Sequence, residues 1–296
     1  MSFYSVDGQG LIFSPTGPLS VDLGGPALTP VPYSARVAVS GHSIPDNIFK
    51  YPWAGVISAA GATPVVVSQT GPYSSAIFRW ENDPAAPDRV RQILETPGAA
   101  YDIFLGIEAH GGLYGTPPRA SVQTHIEFSN AYGQALLYHN LAASRGAQTF
   151  YGNFWRNDPA ELFDASWRAA QNDEVPLWNG IIDYVNANRN AGTPAMRLVP
   201  WLQVFMAVYD AIQAGTVTGL TMADIFVDDV HPETPIGQWM QMATFLAVAY
   251  QRHPDELPPN IPQEFTGPVS VNAAQVAQLR PVIWSTCIST PRTGLN

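Results

Sequence analysis

Apolar positions along the chain alternate between two rhythms, short continuous runs and longer stretches spaced at three and four residues. Arg36-Val37-Ala38-Val39-Ser40 is a run of the kind that forms a buried strand, and it leads directly into Gly41-His42-Ser43. Pro64 to Gln69 is a second strand candidate, ending at Thr70-Gly71-Pro72, and Tyr101 to Glu108 is a third, ending at His110-Gly111-Gly112. Between Ile126 and Ala143, the positions Phe128, Ala131, Ala135, Tyr138 and Ala142 mark one face of a helix, and Ala147 to Tyr151 follows as a fourth strand candidate. Trp201 to Ala214 and Thr234 to Tyr250 carry further helical stripes, with Pro235 suited to the first turn of the second.

Strand candidates thus alternate with helix candidates, which predicts an α/β domain with a mostly parallel sheet covered by helices on both faces. The first 34 or so residues, rich in Gly, Pro and Ser with short clusters such as Leu11-Ile12-Phe13, read as turns and short strands outside that domain. Beyond Pro254 the chain is Pro-rich with one short apolar stretch near Val282 to Trp284. The expected organisation is an arm over residues 1–34, a domain over 35–254 and an extension over 255–296 packing on that domain. No internal repeat interrupts this order.

Composition narrows the function classes. At 46% hydrophobic residues and eight Trp, the 296-residue chain has ample material for a packed core, while its 13% charged residues leave much of the surface neutral and polar. A formal net charge of −10 without any Lys/Arg-rich run repels phosphate backbones and anionic lipid, so nucleic acid is not expected as a partner. No apolar run approaches the roughly 20 residues of a membrane span. The opening MSFYSVDGQG lacks the basic and apolar regions of a signal peptide, so a soluble protein is expected, its compartment unassigned. The single Cys287 excludes an intramolecular disulfide and a cysteine-cluster metal site, and His125, His139 and His253 have no metal-ligand spacing around them. No cofactor is expected.

Two short patterns carry the chemistry. A serine attacks an ester only when a base takes its proton and a carboxylate holds that base in the right tautomer. Ser43 lies in the turn after the first strand, where its hydroxyl can be exposed and a helix N-terminus favours negative charge. Asp228-Asp229-Val230-His231-Pro232 stands directly before the last long helix of the domain, and in a turn Asp228 can reach one imidazole nitrogen while the other faces a nucleophile. Alone, the first pattern is also an ordinary capped turn and the second a solvated acidic one. Together they converge on the carboxyl end of one sheet. Pro45 stands where Gly-x-Ser-x-Gly would require a second Gly, and Asp and His are adjacent rather than far apart, which disfavours an α/β-hydrolase nucleophile elbow.

With these two motifs the chain resembles the SGNH hydrolases, or GDSL-type esterases, over roughly residues 36 to 252. The resemblance implies a flavodoxin-like three-layer α/β/α fold and ester hydrolysis through an acyl-enzyme. It also implies an oxyanion hole from the backbone N–H of Ser43, that of Gly71, and an Asn side chain after the third strand. Two departures stand out. His42 replaces the usual Asp beside the nucleophile, and Gly106-Ile107-Glu108-Ala109-His110 contains no Asn. An ionised Glu108 accepts hydrogen bonds and donates none, and losing one oxyanion donor costs about 3 kcal/mol in other enzymes. Either His110 supplies the donor, or Glu108 is protonated, or two backbone donors suffice; the last is the simplest account.

Tyr73, Phe78 and Trp80 are candidates for lining an acyl or sugar pocket, with core packing as the competing use. Trp155, Trp167 and Trp178 fall in a middle insertion that reads as a candidate lid. The expected function is a serine esterase acting on a small-molecule or glycan ester, with carbohydrate O-acetyl groups and short-chain acyl esters as candidate substrates. The alternative is a catalytically weakened carbohydrate-binding or structural module on the same fold.

Overall fold

The computed structural model describes residues 5–6, 9–10, 29–49, 52–70, 74–81, 90–98, 100–108, 131–157, 162–262 and 268–295, without the side chains of residues 5, 6, 9, 10, 77, 78 and 81. Five strands form its central sheet: β1 (Val37–Gly41), β2 (Val66–Thr70), β3 (Ile103–Gly106), β4 (Gln148–Gly152) and β5 (Arg197–Val199). They run parallel in the spatial order β2-β1-β3-β4-β5. This is the flavodoxin-like order, and the three-layer parallel fold is the one that the SGNH resemblance implies.

The central strands β1 and β3 are buried on both sides, which is why β1 reads as a continuous apolar run. Val37 and Val39 join Ile103 and Leu105 in the main core, while Ala38 and Phe104 face a smaller second core. The main core is covered by α1 (Ser43–Phe49), α2 (Pro52–Ala59) and α8 (Pro235–Ala249). Against the second core lie α3 (Ala76–Glu81), α4 (Val90–Glu95) and α5 (Ala131–Ser144). Two further helices, α6 (Ala165–Asn188) and α7 (Trp201–Gln213), pack against each other, and α6 also lies on α5. α8 is buried on all sides from Trp239 to Ala249, and Phe245 meets Phe49 and Trp53 edge-on at 4.8 and 4.9 Å between ring centres.

The structure departs from the sequence reading in two places. The middle insertion is not a lid: it forms the 24-residue helix α6, and Trp155, Trp167 and Trp178 all belong to the main core. Its buried stripe of Trp167, Gln171, Glu174, Trp178, Ile181 and Val185 has helical spacing, but Gln171 and Glu174 break its apolar character and Pro176 reads as a helix breaker. Residues beyond Pro254 also hold a long helix, α9 (Ala273–Ser289), which continues through Pro281 and packs on α7 and α8 with Val276, Leu279, Ile283 and Cys287. Past α9 the chain returns to β5, where Leu198 N–H donates to the Arg292 carbonyl at 2.9 Å. Arg292 also forks onto the Asp183 carboxylate of α6 at 2.7 and 2.8 Å.

Candidate active site

β2 and β3 flank β1 on opposite sides, so the order of the sheet reverses at β1, the kind of position where open parallel sheets bind ligands beyond the carboxyl ends of their strands. Ser43 stands at that point as the first residue of α1, with an N–H in the first turn that has no intrahelical acceptor. Gly41, the last residue of β1, is required by the close approach of α1: a Cβ there would lie 2.4 Å from Cγ of Pro45. Pro45 is accommodated in the first turn of α1, where no backbone donor is needed, and its ring closes over the strand end. His42 is buried beside Ser43; its Nδ1 accepts from Ile44 N–H at 3.4 Å and its ring centre lies 4.8 Å from that of Phe154. The side chain that departs from the family pattern thus caps α1.

The second half of the site is the turn between a short 3-10 segment, Met222–Asp224, and α8. Thr234 caps α8, accepting from Gly237 N–H at 3.2 Å and donating to the Ile225 carbonyl at 2.7 Å. Gly237 lets the turn lie against the helix, since a Cβ would come within 2.5 Å of the Ile225 and Pro232 carbonyl oxygens. Within the turn the Asp228 carboxylate organises its neighbours. Oδ1 accepts from the N–H groups of Val230 and His231 at 2.9 and 2.6 Å, and Oδ2 lies 2.7 Å from His231 Nδ1. On the far side of the ring, His231 Nε2 lies 2.9 Å from Ser43 Oγ. With Nδ1 protonated toward Asp228, Nε2 is left as an acceptor for the Ser43 hydroxyl, a tautomer assigned from the hydrogen-bond pattern.

Burial alone would raise the pKa of Asp228, but the two backbone N–H donors and the His231 ring outweigh it and hold the carboxyl below its usual range. Its side chain is 42% exposed and that of His231 15%, so the carboxylate is partly solvated while the imidazole is mostly enclosed.

A second polar cluster lies beside the end of β1. Arg79 of α3 is 2% exposed; its Nε donates to Ser40 Oγ at 2.9 Å and its Nη1 to Ser74 Oγ at 3.1 Å, while Nη1 and Nη2 also donate to the carbonyls of Ser74 and Ile107. Burial lowers the pKa of Arg79, and the nearby Glu108 opposes that shift. Glu108, fully buried, accepts the Ala76 N–H at the start of α3 at 2.9 Å. Arg79 and Glu108 therefore tie together β1, the residues after β3 and the start of α3.

Of the residues singled out in the sequence, Ser43, Asp228 and His231 come together in one hydrogen-bonded chain. Glu108 is engaged by α3. Trp80 packs edge-on against Tyr138 at 4.7 Å beneath the Arg91 guanidinium, beside the second core. Gly71, Tyr73 and His110 lie outside the described residues, as does the Phe78 side chain. Thr70, the last described residue of β2, pairs with Gly41 at the end of β1. Sequence reasoning missed Arg79; an Arg in an apolar segment, flanked by Phe78 and Trp80, was the available signal. Among the described residues, no group of His, Cys, Asp and Glu is arranged to hold a metal ion, and no helix is long and apolar enough to cross a membrane.

No protein-family model and no curated protein matches the chain. Solved structures do. One, a DUF4886 family protein from Bacteroides uniformis, is 13% identical with a TM-score of 0.54, covering 88% of this chain and 99% of that one. Another, from Slackia heliotrinireducens and described as "a putative SGNH hydrolase", is 13% identical with a TM-score of 0.45, covering 74% of this chain and all of that one. The likeness to the Bacteroides protein is one of fold alone.

Proposed function

We propose that the protein is a serine esterase with Ser43 as nucleophile, His231 as general base and acid, and Asp228 as the carboxylate that orients the imidazole. The observation that carries this reading is the continuous contact Ser43 Oγ to His231 Nε2 at 2.9 Å and His231 Nδ1 to Asp228 Oδ2 at 2.7 Å, located at the strand-order reversal. Ser43 Oγ attacks the ester carbonyl as its proton passes to Nε2. The oxyanion so formed is met by the Ser43 N–H, and Gly71 N–H is the proposed second donor. Collapse expels the alcohol, which takes the proton from Nε2, and leaves an acyl group on Ser43. Water then attacks the acyl-enzyme, giving its proton to His231, and the acid departs as Ser43 recovers its hydrogen.

Carbohydrate O-acetyl groups and short-chain acyl esters are the proposed substrates. The test is turnover of p-nitrophenyl acetate and butyrate and of acetylated sugars by wild type, Ser43→Ala and His231→Ala. Loss of activity in both variants, with folding intact by circular dichroism, supports the reading. A wild type inactive on all of these, with Ser43 unlabelled by a fluorophosphonate, would replace it with the carbohydrate-binding or structural module.

A further inference from the structure

We infer that Trp155 and Asn157, on the segment that continues from β4, are positioning residues that hold the Asp228–His231 turn in register with Ser43. The inference rests on the reading of His231 as the base. A base borne on a turn works only when its ring is fixed to within about half an ångström of its productive position, and the hydrogen bonds inside this turn do not anchor it to the sheet. Trp155 provides an anchor. Its indole Nε1–H donates to the Val230 carbonyl at 2.9 Å.

That carbonyl belongs to the same peptide unit as the His231 N–H, which donates to Asp228 Oδ1 at 2.6 Å. The peptide plane preceding His231 is therefore held at both ends, by the indole on its oxygen and by the carboxylate on its hydrogen, and this fixes the direction in which the imidazole leaves the backbone. The indole is itself immobile: Trp155 is fully buried, with ring centres of Phe205 at 4.3 Å and Phe226 at 5.4 Å. Two residues further on, Asn157 Nδ2 donates to Asp229 Oδ2 at 3.0 Å, a second tie to the turn between the two partners of the dyad. One short segment after β4 thus grips consecutive residues of the turn, and neither Trp155 nor Asn157 is hydrogen-bonded to Ser43 or His231.

The experiment compares Trp155→Phe with Trp178→Phe. Trp178 is equally buried in the same core, but its indole nitrogen has no hydrogen-bond partner among the described residues, so its replacement controls for lost packing. Both variants are expected to lower Tm, and only Trp155→Phe to lower kcat, by about tenfold or more with KM changed less than about twofold. Asn157→Asp, which sets a carboxylate against Asp229 at a partly exposed position, is expected to lower kcat in the same direction and serves if Trp155→Phe does not fold.

A second readout is independent of turnover. The His231 Nδ1 proton, bound to Asp228, is expected as a resonance downfield of the amide region that vanishes in His231→Ala. It should broaden or move upfield in Trp155→Phe and Asn157→Asp, and persist in Trp178→Phe. Should wild type show no esterase activity, the functional reading fails while this resonance still judges the positioning. Persistence of the resonance and of kcat in both Trp155→Phe and Asn157→Asp overturns the inference, as does a kcat loss in Trp178→Phe equal to that in Trp155→Phe.

Discussion

Replacing Asp228 by Asn separates the orienting role of this carboxylate from its structural one. The carboxylate accepts three hydrogen bonds, two backbone N–H groups on Oδ1 and the imidazole on Oδ2. An amide offers oxygen to one side only. If the oxygen stays on the two backbone donors, the NH2 group faces His231 Nδ1, which must then become the acceptor. The ring proton moves to Nε2, which donates to Ser43 Oγ and no longer takes its proton. The turn survives while the base is disabled, so kcat should fall by about 10³ to 10⁴-fold, equivalent to about 4 to 5.5 kcal/mol of activation free energy. Stability should fall by only about 1 kcal/mol, because the lost partner is a partly solvated charge.

Because the Asp228 carboxyl is held below its ordinary pKa in the folded protein, its contribution to stability is present above the unfolded value near about 3.9 and is lost as pH falls through the folded value. The gap in urea-unfolding free energy between wild type and Asp228→Asn should therefore narrow as pH drops from about 5 toward 3. Turnover of p-nitrophenyl acetate and urea melts across that range measure both effects. An Asp228→Asn protein that keeps more than a tenth of wild-type kcat would refute the assigned tautomer and orienting role.

Gly41→Ala would push a methyl into the Pro45 ring and displace the start of α1; activity should fall about 10 to 100-fold and stability by about 1 to 3 kcal/mol, read from ester turnover and urea melts. Arg79→Ala removes the cation facing the buried Glu108 and should cost about 3 to 5 kcal/mol, part of which Arg79→Ala/Glu108→Gln regains. A loss below about 1 kcal/mol in the single variant would count against that electrostatic coupling. Cys287 is fully buried, and burial raises its thiol pKa, so a thiol-reactive dye should modify it in denaturant and not in the folded protein. Full modification of native protein within minutes would contradict the burial.

The parts of the molecule legible in the sequence are those where local pattern and tertiary environment agree. β1 and β3 are apolar because both of their faces are covered, and α7 and α8 announce themselves by their stripes, α8 also by its Thr234-Pro235 start. Ser43 and the Asp228-x-x-His231 spacing stood out because a Ser-His-Asp hydrogen-bonded chain needs these residue types, and the structure brings the three side chains together. Helices α6 and α9 escaped because Pro176 and Pro281 signal breakage locally, a cost of about 3 kcal/mol each that burial of Trp167, Trp178, Ile181 and Ile283 offsets. β5 is three residues long and carries Arg197, too brief to show a period. The Trp155 contact with the Val230 carbonyl was invisible because that partner is a backbone group 75 positions away, and a carbonyl leaves no mark in the choice of residue.

The return of the chain to β5 after α9 bears on how an edge of the sheet is covered. A parallel sheet has two outer strands whose free amide edges can recruit a strand from another molecule. On the β5 side, the Leu198 amide is already occupied by the Arg292 carbonyl, and the buried Thr293 and Leu295 hold that segment down. The molecule thus caps this border with its own tail. Removing residues 290–295 would bare it, trading a covered sheet edge for an adhesive one, with concentration-dependent aggregation as the expected result.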